Sequence, residues 1–108
     1  MKNKYVKIAV NVPESHADAL REAIGKAGAG KIGNYSFCSF SSKGTGRFKP
    51  EKGAHPRIGK IGKLKSVAEE RIEVVCERKK LAHVLAAIKK AHPYEEIGWD
   101  IYPLESTY

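Results

Sequence analysis

The sequence predicts an α+β fold made of two βαβ halves, and three observations carry that prediction. Apolar residues alternate with period two in four short stretches, at about 5–12, 33–41, 69–77 and 97–102. Two amphipathic helical patterns, at about 15–27 and 79–91, fall inside the first and second pair of those stretches. The two halves also echo one another. Val12-Pro13-Glu14 precedes a helix carrying Leu20, Ile24 and Ala27, and Val75-Cys76-Glu77 precedes one carrying Leu85, Ile88 and Ala91.

The elements follow in order. In YVKIAVNV, Val6, Ile8, Val10 and Val12 share one face of a strand, and Pro13 breaks it. Ser15 is the expected N-cap of the first helix, with Asp18 three residues on as a weak capping box. Ala17, Leu20, Ile24 and Ala27 form the buried stripe, and Gly28-Ala29-Gly30 supplies the exit. The second strand is placed at about 33–41, GNYSFCSFS. After it, SKGTGRFKPEKGAHPRIGKIGKL holds five glycines and two prolines in 23 residues, a composition expected of an irregular connection with short extended pieces near 46–49 and 58–62. The third strand turns Ile72, Val74 and Cys76 inward. The second helix aligns Leu81, Val84, Leu85 and Ile88 and stops at Pro93. The last strand carries Ile97, Trp99 and Ile101 and is expected to end at Pro103. Right-handed crossovers in both halves give a four-stranded antiparallel sheet with both helices on one face, the ferredoxin-like arrangement. The other face lacks cover, with Tyr5, Tyr35, Ser39, Val75 and Tyr102 expected on it. An open face of this kind is often closed by self-association.

With 108 residues, 42% hydrophobic and 30% charged, the chain fits a single domain, residues 1–108. No apolar run approaches the roughly 20 residues of a membrane span. Met1-Lys2-Asn3-Lys4 leads directly into a strand pattern, so no signal peptide is read and a cytoplasmic location is expected. Cys38 and Cys76 lack metal-ligand spacing and read as free thiols of a reducing compartment. The net charge is +8, and the segment from Lys43 to Lys65 holds eight basic residues against Glu51 alone, leaving +7 there. This long basic loop, at about 43–65, suits an anion or an acidic partner. Phe48 is its one aromatic, so it offers no stacking platform and nucleic acid is not an expected partner.

Two motifs carry chemistry. In His92-Pro93-Tyr94-Glu95-Glu96, a histidine with carboxylates three and four residues on can ligate a divalent metal or work as an acid–base group. The same residues also suit a structural turn, with His92 at a helix C-terminus and Tyr94 packed. In Gly44-Thr45-Gly46-Arg47-Phe48-Lys49-Pro50, glycines beside cations can cradle an anion on backbone N–H groups, or form a plain turn anchored by Phe48. The order is not a Walker loop. His16, His55 and His83 lie scattered, and Ser15, Ser39 and Ser41 lack a nucleophile elbow.

Residues 30–40, GKIGNYSFCSF, precede Gly44-Thr45-Gly46-Arg47-Phe48-Lys49-Pro50. Ile58-Gly59, Gly62-Lys63-Leu64, Glu70-Arg71-Ile72-Glu73, Ala91-His92-Pro93-Tyr94-Glu95-Glu96 and Asp100-Ile101-Tyr102-Pro103-Leu104 follow. This series, over about residues 28–104, resembles the domain inserted in the middle of bacterial Nif-three-like (Ngg-interacting-factor) proteins. The His-Pro-Tyr-Glu piece is also similar to a segment of CutA, the divalent-cation tolerance protein. The resemblance implies a CutA/PII-like fold, trimers with ligands in clefts between subunits, and a long loop after strand 2 as a contact arm. The flanking portions whose His, Asp and Glu residues hold two metal ions in that family have no counterpart here, so its hydrolase activity is not carried over.

The expected function is therefore a non-enzymatic, homo-oligomeric domain, dimer or trimer, that binds a small anion, a nucleotide-like molecule or a divalent metal. Lys43, Gly44, Thr45, Gly46, Arg47, Lys49 and Tyr94 are the candidate ligand-binding residues, and His92, Glu95 and Glu96 the candidate metal ligands. This reading requires one concave site shared by the 43–50 and 92–96 segments. The alternative is a protein–protein module whose open sheet face oligomerises and whose basic loop contacts an acidic partner. An enzyme would need residues from a second chain.

Overall fold

A computed structural model describes residues 4–105 and 108. Its elements are β1 (Tyr5–Pro13), α1 (Glu14–Lys26), β2 (Phe40–Phe48), β3 (Lys65–Glu77), α2 (Leu81–Ala91) and β4 (Trp99–Leu104), with a 3-10 turn at Arg78–Lys80 leading into α2. The sheet order is β2-β3-β1-β4 with every pairing antiparallel. Two βαβ units interleaved in this way are the ferredoxin-like fold.

Alternation along the strands builds the core. Val6, Ile8, Val10 and Val12 of β1 face the helices beside Ile72, Val74 and Cys76 of β3, and all are buried. Leu20 and Ile24 of α1 and Val84 and Ile88 of α2 close over them, with Trp99 and Ile101 of β4 packed at the flank. Each fully buried Val, Leu or Ile contributes roughly 1.5–3 kcal/mol.

Four elements depart from the expected boundaries, among them β3, which begins at Lys65 rather than 69. The second strand is Phe40–Phe48, not 33–41, so residues 42–48 of the stretch expected to be irregular are in fact β2, and Lys43 and Arg47 sit on a strand. The irregular loop is confined to residues 49–64. Residues 30–38 instead form a side excursion. The Gly30 N–H donates to the Val75 carbonyl at 2.8 Å and the Cys38 N–H to the Gly30 carbonyl at 2.9 Å, so Gly30 occupies the place beside β3 that the strand would have taken. Gly30 has φ +81, and a Cβ there would run into the Cys38 carbonyl. Phe37 closes the excursion with φ 58, a left-handed conformation costing about 1–3 kcal/mol, offset by laying its ring over Gly25 of α1.

The helix start also differs. Pro13 occupies the N-cap position without a side-chain bond, and Ser15 lies inside α1, where its hydroxyl meets His16 Nδ1 at 2.9 Å. Pro103, expected to end the last strand, lies within β4, because β4 is an edge and a missing N–H is tolerated there. Arg21 ties α1 to the opposite edge. Its guanidinium donates to Glu70 at 2.6 Å and to Ser41 at 3.0 Å, spanning β3 and β2.

On the open face, Tyr5 and Tyr102 stand where alternation placed them, and so does Val75, which is nevertheless buried. Tyr35 and Ser39 fall outside β2. Cys38 is half-buried and Cys76 buried, both free. No described helix is long and apolar enough to cross a membrane.

Ile8 is fully buried at the centre of β1. Ile8→Ala should lower the unfolding free energy by about 3 kcal/mol, read as a reduced urea midpoint at unchanged slope.

Candidate ligand-binding cleft

The cleft arises from a mismatch of strand lengths. Pro13, the last residue of β1, pairs with Glu69, whereas β2 continues along β3 to the pair Phe48–Lys65. The β2–β3 ribbon thus overhangs the rest of the sheet by residues 65–68. The turn between α2 and β4 and the loop 49–64 fold against this step and enclose a cleft of about 370 Å³. Its walls are Gly46–Glu51, Ala54, Pro56–Ile58 and Tyr94–Glu96, with Asn11, Glu69 and Gly98 also lining it.

Of the residues singled out from sequence, Gly46, Arg47, Lys49, Tyr94, Glu95 and Glu96 line this cleft. Lys43, Gly44 and Thr45 do not. Lys43 points to the helix side of the sheet and lies 3.9 Å from Glu14, and Gly44 and Thr45 are paired in the β2–β3 ladder. A loop-like cradle of backbone N–H groups is therefore not formed at 44–46, because the segment is a strand. Gly46 has a different use: a Cβ there would collide with the Glu69 carboxylate.

His92 is a structural group in this conformation. It is only 6% exposed, and both ring nitrogens are engaged. Nε2–H donates to the Asn11 carbonyl at 2.7 Å, and Nδ1 accepts the Tyr94 N–H at 3.1 Å. Those bonds fix the neutral tautomer protonated on Nε2, and burial holds the pKa below the ordinary 6.5. His92, Glu95 and Glu96 are not gathered around one point, and no group of three His, Cys, Asp or Glu side chains suited to a metal ion occurs among the described residues. Glu95 instead accepts the His55 N–H at 2.8 Å, latching the 49–64 loop to the turn.

The sequence reading missed Glu69, 8% exposed on the cleft floor. The Tyr94 hydroxyl donates to it at 3.0 Å, and burial with this bond raises the Tyr94 pKa, so the phenol stays protonated. Phe48 meets the Tyr94 ring edge-on at 5.6 Å. Arg57, also missed, lines the cleft as Arg47 does. Lys49 lies 3.8 Å from Glu51.

The His92 geometry sets a pH dependence. Its folded pKa is depressed, so the stability it supports is complete above about pH 6.5 and declines as pH falls from there through the folded value. Unfolding free energy measured from pH 7.5 to 5 should drop on the acid side. His92→Gln, which keeps one donor and one acceptor, should flatten that part of the curve.

The comparisons bear on the fold. No family model matches the chain. A protein of Halalkalibacterium halodurans named GTP cyclohydrolase 1 type 2 homolog is 55% identical over 98 residues, 91% of this chain and 26% of that protein. The crystal structure of a Bacillus cereus protein related to NIF3 superposes with TM-score 0.84 at 44% identity, covering 98% of this chain and 27% of that one. The divalent cation tolerance protein CutA of Archaeoglobus fulgidus gives TM-score 0.70 at 18% identity, covering 96% of this chain and 87% of that one. The B. subtilis GlnK–ATP complex gives 0.64 at 13%, covering 96% and 84%, so these two likenesses are of fold. The chain spans about a quarter of the length of the curated relatives it matches. It is a relative of one segment of the Nif-three-like proteins and carries the fold shared by CutA and GlnK.

Proposed function

We propose that this domain is a non-enzymatic binding module of the Nif-three-like family that takes a small anionic ligand in the cleft at the end of β2. The observation that carries this reading is the convergence of two distant segments, 46–50 and 94–96, on one concavity of about 370 Å³. That size lies in the range of small-molecule sites, about 300–1,000 Å³. Arg47 and Arg57 supply the charge. Neither forms an ion pair among the described residues, so both are available to a phosphate or carboxylate. Phe48, Pro50 and Tyr94 give the cleft apolar walls, and Gly46 makes room for the Glu69 carboxylate at its floor.

Titration calorimetry with pyrophosphate and with ATP tests this. Binding is expected for at least one of them, and the double variant Arg47→Ala/Arg57→Ala should weaken it at least tenfold without moving the thermal midpoint. No heat with either anion, or equal affinity in the double variant, would sink the reading.

A second reading concerns the open sheet face, where Phe40 is 71% and Tyr102 47% exposed. Aromatic side chains that open favour self-association. Sedimentation velocity should then show a dimer or trimer that Phe40→Glu dissociates; a monomer for the parent chain at high micromolar concentration contradicts it.

A further inference from the structure

We infer that the floor of the cleft is a subsite for an organic cation, so that the ligand is a small zwitterion: a protonated amine or guanidinium against Glu69 and an anionic group between Arg47 and Arg57. This rests on the cleft reading above and specifies the second half of its ligand.

Glu69 is a carboxylate more than nine-tenths buried, lining the cleft. The Tyr94 hydroxyl is its one hydrogen-bond donor, and no lysine or arginine pairs with it among the described residues. The neighbouring His92 is held neutral, with both ring nitrogens spent on the backbone. A buried carboxylate with so little compensation is costly, and such charges are ordinarily paired. Here the vacancy is on the cleft side. Tyr94 holds one oxygen, and the carboxylate packs over Gly46 in the space a side chain there would fill, while Glu69 still lines the cleft.

The surroundings suit a cation. The Tyr94 ring, whose hydroxyl holds the carboxylate, stands in contact with Phe48, and aromatic faces attract ammonium and guanidinium groups when water is excluded. A neutral donor would satisfy the hydrogen-bonding capacity of Glu69 but leave its charge buried. Arg47 and Arg57, which line the same cleft, complement the opposite end of the ligand. The cleft volume accommodates a molecule the size of a free amino acid.

Calorimetry with L-arginine, L-citrulline, agmatine and pyrophosphate separates the terms. Arginine carries both ends; citrulline replaces the guanidinium with a neutral urea of the same shape; agmatine lacks the carboxylate. Arginine should bind at least tenfold tighter than citrulline, and Glu69→Gln should remove that preference while pyrophosphate binding persists. Agmatine should bind more weakly than arginine and be indifferent to Arg47→Ala/Arg57→Ala. Citrulline equal to arginine in the parent protein overturns the cation subsite, a comparison that holds even if the Glu69 variant fails to fold. Pyrophosphate binding in that case leaves the anion reading standing. Arginine and agmatine binding equally, with no response to loss of the two arginines, supports the subsite and overturns the anion reading instead. No binding of any probe rejects both.

Discussion

The register between β3 and its two neighbours is the constraint on which the rest depends. β3 is 13 residues long, β1 is nine, and the two end their pairing at Pro13 and Glu69. Because side chains alternate, that register does two things together. It turns Ile72, Val74 and Cys76 into the core beside Val6, Ile8 and Val10, and it places Glu69 on the opposite face at the step where the sheet narrows. A slip of one residue would bury charge under the helices and bring apolar side chains to the cleft. The hydrophobic core and the candidate site are therefore fixed by one alignment.

At the step, three polar groups hold one protonation pattern. His92 is neutral because its two nitrogens face a carbonyl and an N–H. Tyr94 keeps its proton because burial disfavours the phenolate and Glu69 accepts the hydrogen bond. The chain Asn11–His92–Tyr94–Glu69 thus joins the end of β1 to the turn and the turn to β3, so the turn is set by the sheet rather than by its own composition. Glu95 extends the order outward through the His55 N–H. The turn, which in sequence suited either a metal site or a structural role, is in this conformation a bracket shaping one wall of a cleft.

The fold was legible where one face of an element is buried. β1 and β3 carry strict alternation because the helices cover one side, and α2 carries its stripe for the same reason. β2 was misplaced because it is an edge strand with little apolar content, SSKGTGR between two phenylalanines, while the alternating Tyr35, Phe37 and Ser39 belong to an excursion anchored by Phe37 on Gly25. Glycine and proline punctuation marked both segments that meet at the cleft. Glu69 was not legible: a glutamate in an alternating strand reads as solvated, and only pairing of three strands reveals it at a covered step. Lys43 was misassigned because charge density along the chain does not say which face of a strand a side chain takes.

Amide chemical-shift mapping on the isotopically labelled domain, with L-arginine added stepwise, tests the central claim most directly. The account predicts progressive shifts concentrated at Asn11, Gly46 to Lys49, Glu69, Tyr94 and Gly98, with the open-face residues Phe40 and Tyr102 unmoved. Shifts spread over exposed acidic side chains, or centred on the open sheet face with the cleft silent, would contradict it.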